Sequence, residues 1–226
     1  MLVSVIIPVY NEKDTLKEII EMVGATDIQK ETIVVDDCSS DGTTEILREI
    51  EGDAVRVFYH ERNKGKGACI TTALGHVRGD IVIIQDADLE YDPKEYYSLI
   101  NPILEGKADA VYGSRFLGGP HRVLFFWHYV GNKIITTFSN MLSNLNLTDM
   151  ETGYKAFRTE VIRGLSLKSN RFGFEPEVTM KLAKSKCRIY EVPISYWGRD
   201  YSEGKKITWR DGAAALWHIV RFRLFE

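Results

Sequence analysis

Four carboxylates, Asp86, Asp88, Glu90 and Asp92, follow one short apolar run in the stretch VIIQDADLEYDP at positions 82–93. Left to themselves they repel one another, so something must neutralise them. Asp86 and Asp88 stand two apart at the end of a β-branched run. There both can approach one hard divalent cation through oxygen, with diphosphate oxygens and water completing the shell. Asp92 precedes Pro93, the pattern of a helix N-cap with proline at the first helical position, and is read as structural. Glu90 falls between the two cases.

Other polar stretches also follow apolar runs: PVYNE at 8–12, DDCSSDG at 36–42, ERNKGKG at 61–67 and GSRF at 113–116. Asp36 and Asp37 come directly after IVV, where a carboxylate accepts hydrogen bonds from a ribose or a base edge. Ser39, Ser40 and Asp41 suit capping of the helix that follows. NKGKG sets Lys64 and Lys66 among glycines, which let backbone approach a phosphate while lysine supplies charge. It lacks the spacing of an ATP-cradling P-loop, and by itself also reads as an ordinary basic turn.

These residues need a scaffold that brings strand ends together. Strands are expected in VSVIIPV, ETIVVDD, AVRVFYH, DIVIIQD and DAVYGSR, alternating with amphipathic segments in KDTLKEIIEMV, DGTTEILREI and GACITTALGHV. That alternation predicts an α/β fold, a mostly parallel sheet flanked by helices, whose ligand lies beyond the carboxyl ends of the strands. A basic glycine-rich loop beside several carboxylates suits a nucleotide and a metal. After Arg115 the alternation stops. The segment VLFFWHYVGNKIITTFSNMLSNLNL predicts a long helix; then come a helix in EPEVTMKLAKS, a strand in RIYEVPISY, a polar loop GRDYSEGKK and a last helix from about Thr208.

With 226 residues, 44% of them hydrophobic, the chain is long enough for one large core. Its 29 basic against 32 acidic residues give a net charge of -3, so no overall field points to nucleic acid. Cys38, Cys69 and Cys187 match neither a disulfide framework nor a zinc knuckle, and are read as reduced thiols in the cytosol. His121 and His128 have no zinc-ligand spacing. No basic n-region precedes LVSVIIPVY, and no apolar run reaches the length of a membrane span.

The motifs VIIPVYNE, VVDDCSSDGT, NKGKGAC, the Asp-Ala-Asp at 86–88 and GSRF, in that order over the first 118 residues, resemble the family 2 glycosyltransferases of GT-A fold. The resemblance implies a single domain. Residues 1–118 would form the nucleotide-sugar-binding half, 119–207 the acceptor-side half and 208–226 a C-terminal amphipathic helix. It implies inverting sugar transfer from a nucleoside diphosphate sugar, of GDP-mannose or UDP-glucose type, with Mg2+ or Mn2+. Asp86, Asp88 and Glu90 would face the metal; Pro8, Tyr10, Glu12, Asp37, Lys64, Asp86 and Ala87 would contact the donor. Within the family the chain is most similar to the dolichyl-phosphate mannose synthase, or polyprenyl-phosphate glycosyltransferase, group. That group's Asp-Ala-Asp-Leu-Gln run has Glu90 here in place of glutamine. TDMETGYKAFR resembles its Asp-x-x-Ser-Gly-Phe segment, and Arg199 with Lys205 or Lys206 resembles its basic loop.

A polyprenyl phosphate acceptor is already an anion and can attack C1 directly, so it needs cationic positioning rather than a base. Arg115, Arg122, Arg199 and Lys206 are the candidates, each also readable as a surface ion-pair partner. A saccharide hydroxyl would instead need a carboxylate base, with Asp149 first and Glu177 behind it; Glu175 and Glu177 also read as helix caps. Asp88, Asp149 and Arg115 are therefore the expected catalytic set. A third reading is a nucleotide-sugar-binding module without turnover. A lipid acceptor calls for peripheral contact at the cytoplasmic membrane face. The stripe Trp209, Leu216, Trp217, Val220 and Leu224, and the aromatic run VLFFWHYV, are the candidate surfaces, although both patterns more often pack in a core.

Overall fold

The computed structural model describes residues 1–123, 125–171, 173–199 and 209–226, with the side chains of 209–211 outside that description. Lys205, Lys206 and the side chains of Trp209 and Arg210 therefore lie outside the described residues. The β-branched runs form β1 (Val3–Val9), β2 (Lys30–Asp36), β3 (Val55–Tyr59), β4 (Ile81–Ile84), β5 (Ala110–Ser114) and β7 (Ile189–Pro193), each within its predicted stretch except that β2 starts one residue earlier. A further strand, β6 (Lys155–Arg158), completes a seven-stranded sheet of order β3-β2-β1-β4-β6-β5-β7. β6 runs antiparallel to β4 and β5, and the other pairings are parallel.

The sequence reading missed β6 because its four residues begin and end on cations, which hides the buried pair Ala156 and Phe157. Its direction has a consequence for the site. Lys155 pairs with Ile84 and with Tyr112, so the residues that precede β6 arrive at the same edge as those that follow the parallel strands.

Helices cover both faces. One face of the sheet packs on α1 (Leu16–Gly24), α2 (Thr43–Ile50) and α4 (Tyr96–Leu104) through Leu16, Ile19, Leu47, Leu99 and Ile103. The other packs on α3 (Lys66–Leu74), α6 (Thr159–Gly164), α7 (Phe174–Lys184) and α8 (Trp209–Leu224) through Ile70, Ile162, Val178, Ile219 and Phe222. Asp92 caps as expected: its carboxylate accepts the Lys94 N–H at 2.9 Å at the start of a 3-10 turn, Pro93–Glu95, that leads into α4.

Two packing expectations are corrected. α8 buries Ala215, Ile219 and Phe222, spaced i, i+4 and i+7 on one face, whereas Trp217 is 59% and Leu224 64% exposed. Of the stripe read from the sequence, Leu216 still packs partly buried against the core, but the fully buried face lies elsewhere. The long helix, α5, spans Phe126–Ser143, and its aromatic start is not core: Phe126 is 66% and Trp127 77% exposed. No helix among the described residues is long and apolar enough to cross a membrane.

Candidate active site

The loops after β1 and β2 are stapled to each other. Asn11 Oδ1 accepts the Ser40 N–H at 2.8 Å, Ser39 Oγ accepts the Asn11 N–H at 2.9 Å, and Thr43 Oγ1 accepts the Glu12 N–H at 3.0 Å. Tyr10 and Glu12 are thereby carried on a braced turn beside Pro8. Asp36 accepts from the Ser39 N–H at 3.1 Å and the Thr44 hydroxyl at 2.6 Å. Asp37 is buried and accepts from the N–H groups of Lys64 at 2.8 Å and Gly65 at 2.6 Å, and from His60 Nδ1–H at 2.7 Å. Burial pushes its pKa up, but the Lys64 N–H, the His60 ring and the Gly65 N–H together hold it below the usual carboxylate range. Asp37 therefore fixes the β3–α3 turn, where Gly65, at φ +99°, meets the backbone of Asn170 too closely for any side chain. Cys69 completes a buried trio with Asp37 and His60. Burial and then the Asp37 charge push its thiol far up, opposite to what a thiolate ligand needs.

The acidic run is neutralised from two sides. Asp86 meets Lys66 Nζ at 2.7 Å, and Lys66 reaches on to Glu175 Oε1 at 3.3 Å. Arg199 bridges three carboxylates: Asp88 Oδ2 at 2.9 Å, Glu12 Oε2 at 3.2 Å and Glu90 Oε1 at 3.7 Å. Burial, then the charges of Glu90 and Asp86, push the Asp88 carboxyl up to about 7 in spite of Arg199. Two carboxylates set two residues apart at one strand end offer only oxygen donors, a set that fits a hard divalent cation, and Asp86 with Asp88 would hold it. Glu90 is engaged elsewhere, accepting the Arg199 N–H at 2.8 Å and the Tyr196 hydroxyl at 3.0 Å. Between the two aspartates, the Ala87 carbonyl accepts from the Thr15 hydroxyl at 2.7 Å, which holds the turn against the start of α1.

On the other side of Tyr196, Asp149 is fully buried and grips Arg115 in a two-pronged pair, Nε to Oδ2 at 2.7 Å and Nη2 to Oδ1 at 2.8 Å. The Arg115 backbone N–H and Asn132 Nδ2 also donate to it, at 3.1 and 3.2 Å. Burial pushes the Asp149 pKa up, but Arg115 holds it below the usual range. The Arg115 guanidinium lies 5.1 Å from the Tyr196 ring centre, so Tyr196 links it to Glu90 and Arg199. Arg122 donates its N–H to the Tyr196 carbonyl at 2.9 Å and Nη1 to the Gly198 carbonyl at 3.3 Å. Arg115, Arg122 and Arg199 thus share one loop cluster.

Several contributors were not assigned from the sequence. Lys66 is the lysine of NKGKG that reaches Asp86, while Lys64 contributes its backbone to Asp37. Gly153 lies so close to Asp86 that a Cβ would overlap Asp86 Oδ2, and its N–H donates to the Tyr91 hydroxyl at 3.1 Å. Behind it sit Glu151, Lys155 and Glu175. Burial, then the Glu175 charge, pushes the Glu151 carboxyl up to about 8, and burial lowers the Lys155 ammonium to about 8. Glu175 and Glu177 lie in the first turn of α7, where their charge suits the helix dipole, and α7 has no side-chain cap hydrogen bond. Glu175 pairs with Lys66, and Glu177 accepts the N–H groups of Lys168 and Ser169 at 2.8 and 2.6 Å and an ion pair from Lys181 at 2.6 Å. The signals that would have found these residues are the second lysine of NKGKG and the small residue at 153.

Residues 4–165 match the profile of Glycosyl transferase family 2. The undecaprenyl-phosphate mannosyltransferase of Micrococcus luteus is 31% identical over 99% of this chain and 99% of its own. The polyprenol monophosphomannose synthase of Mycolicibacterium smegmatis is 32% identical over 89% of this chain and 79% of its own. Among solved structures, the glucosyl-3-phosphoglycerate synthase of Mycobacterium tuberculosis, determined with Mn2+, UDP and phosphoglyceric acid, is similar at a TM-score of 0.76. That match covers 99% of this chain and 79% of that one, at 19% identity, and establishes the GT-A fold. The chain is a glycosyltransferase and belongs to glycosyl transferase family 2.

Proposed function

We propose that this chain transfers a hexose, with inversion, from a nucleoside diphosphate sugar to a polyprenyl phosphate. The observation that carries this reading is the contrast between the two sides of Tyr196. A carboxylate pair suited to a divalent cation lies on one side with Arg199 against it, Arg115 lies on the other and Arg122 on the Tyr196 backbone, while the candidate base Asp149 is saturated and held ionised by Arg115. A phosphate nucleophile needs charge around it and no base. A sugar hydroxyl would need a carboxylate free to take its proton, so the saccharide reading loses its best candidate.

In this account Pro8, Tyr10, Glu12, Asp37, Lys64 and Ala87 shape the donor pocket, Asp37 and Lys64 by fixing the β3–α3 turn. Mg2+ or Mn2+, held by Asp86 and Asp88, would supply charge to the departing diphosphate. Arg115, Arg122 and Arg199 hold the acceptor phosphate in line with C1, and Lys206 is assigned to the same task from the sequence. The lipid chain and the membrane surface are assigned to the start of α5. Tyr129 there lies edge-on to Phe116 at 5.3 Å, next to Arg115 in sequence, which makes the aromatic surface continuous with the arginine cluster. The sites of the M. luteus and M. smegmatis relatives, by their names, act on polyprenyl acceptors, which favours this reading.

The test is a transfer assay with purified protein, a panel of labelled GDP- and UDP-sugars and a short polyprenyl phosphate. Label should enter the organic phase with Mg2+ or Mn2+, and not with a chelator or with Asp88→Ala. Donor hydrolysis without lipid labelling would refute the acceptor assignment.

A further inference from the structure

A polar cleft of about 610 Å3 opens between the β3–α3 turn, residues 168–171 with Gly173, and α8. Its walls carry Arg62, Lys64, Lys168, Arg171 and Arg221, and none of the carboxylates of the acidic run lines it. Lys66, in the same turn, reaches Asp86. The cleft is therefore distinct from the donor carboxylate set.

Its charge is only partly balanced. Glu226 pairs with Lys168 at 2.7 Å and with Arg221 at 2.5 Å. The side chains of Arg62, Lys64 and Arg171 make no ion pair among the described residues. Two neutral groups point to what the excess charge is for. Ser169, which is 8% exposed, buries its Oγ, and His218 buries its Nδ1; neither atom has a hydrogen-bond partner among the described residues. The two side chains meet over Gly173, whose added Cβ would lie 2.8 Å from both Ser169 Oγ and the His218 ring. A buried hydroxyl without a partner costs stability, and a protein that keeps one beside uncompensated cations gains when an anion supplies the acceptor. Glu177 fixes this arrangement by accepting the Lys168 and Ser169 N–H groups.

We propose that this cleft is an anion site for a phosphate ester, apart from the Asp86 and Asp88 carboxylates, with Arg62, Arg171 and the side chain of Lys64, whose backbone N–H alone serves the donor-side turn, providing charge and Ser169 and His218 completing the hydrogen bonds. The phosphate can belong to a soluble molecule or to a lipid headgroup. α8, which supplies His218 and Arg221, also exposes Trp217 and Leu224. The site does not depend on the transfer reaction.

The probe is inorganic phosphate, titrated in chelator at constant ionic strength against chloride, with thermal unfolding as the readout. Phosphate is expected to raise the unfolding temperature of the full chain and of Asp88→Ala alike. The Arg62→Ala/Arg171→Ala double variant, which changes two exposed side chains, should weaken the apparent affinity at least about tenfold, and Ser169→Ala should weaken it several-fold. Sedimentation with phosphatidylglycerol against phosphatidylcholine vesicles separates the sources. Binding to the anionic vesicles that the double variant loses assigns a headgroup, and a phosphate shift without vesicle binding assigns a soluble ester. No stabilisation, stabilisation unchanged in the double variant, or stabilisation lost in Asp88→Ala alone would overturn the proposal.

Discussion

Replacing Asp149 by alanine separates a paired anchor from a general base. Asp149 is fully buried and accepts four hydrogen bonds, three of them from Arg115. Its removal leaves the Arg115 charge covered and unmatched, a change that costs about 3–5 kcal/mol when one member of a buried pair is deleted. For a chain of this length each kcal/mol lowers the unfolding temperature by about 2–4 °C, so a fall of about 6–20 °C is expected. Denaturant unfolding of Asp149→Ala, Arg115→Met and an Asp149→Leu/Arg115→Met double variant tests the reasoning, because an apolar pair of similar volume should recover most of the loss. The pH dependence has a fixed sign. The Asp149 pKa is lowered on folding, so its contribution is present above the ordinary carboxyl value of 3.8 and is lost as acid takes the pH below it. The gap between wild type and Asp149→Ala should therefore close in acid. A variant that loses transfer but keeps its stability to within about 1 kcal/mol would refute the anchor and restore the base.

Gly153→Ala pushes a methyl group into Asp86 Oδ2 and to 3.1 Å from Lys66 Nζ. Calorimetric binding of UDP or GDP with Mn2+ should weaken about tenfold or more, and unchanged binding would contradict Asp86 as a metal ligand. Glu151 holds its proton in the native state up to about 8, against 4.5 as its ordinary value, so native stability falls as pH rises through that window, by at most about 1.4 kcal/mol per pH unit. Glu151→Gln should thus gain on the wild type between pH 5 and 8, and a constant difference across that range would remove the raised pKa. In α8, Phe222→Ala is expected to cost about 3–5 kcal/mol and Trp217→Ala less than about 1. The reverse order in urea unfolding would reinstate the stripe read from the sequence.

The parallel half of the fold was legible because each strand is a run of β-branched residues and each crossover helix keeps a 3.6-residue period. The strand-end rule then gathered the loops after β1 to β5 without any coordinates. β6 was not legible, and with it went the reason that residues 149–154 reach the site: in an antiparallel strand the residues that matter precede it. Charge pairing was equally hidden. The sequence offers Arg115, Arg122 and Arg199 as similar cations, yet Arg115 is anchored on Asp149 and Arg199 spans Glu12, Asp88 and Glu90. Such partners come from segments far apart in the chain, and no local spacing encodes them. For the aromatic start of α5 only the core reading is overturned, since an apolar run does not say which of its faces finds a neighbour.

The central claim is that the acceptor is a phosphate that attacks without a base. Its most direct measurement is side-by-side transfer from one labelled donor to a polyprenyl phosphate and to the free polyprenol of equal length, at saturating Mn2+, with the anomer of the product read by NMR. The account predicts an inverted sugar phosphodiester from the phosphate and no product from the alcohol. Equal or faster transfer to the alcohol, or to a saccharide added in its place, would contradict it.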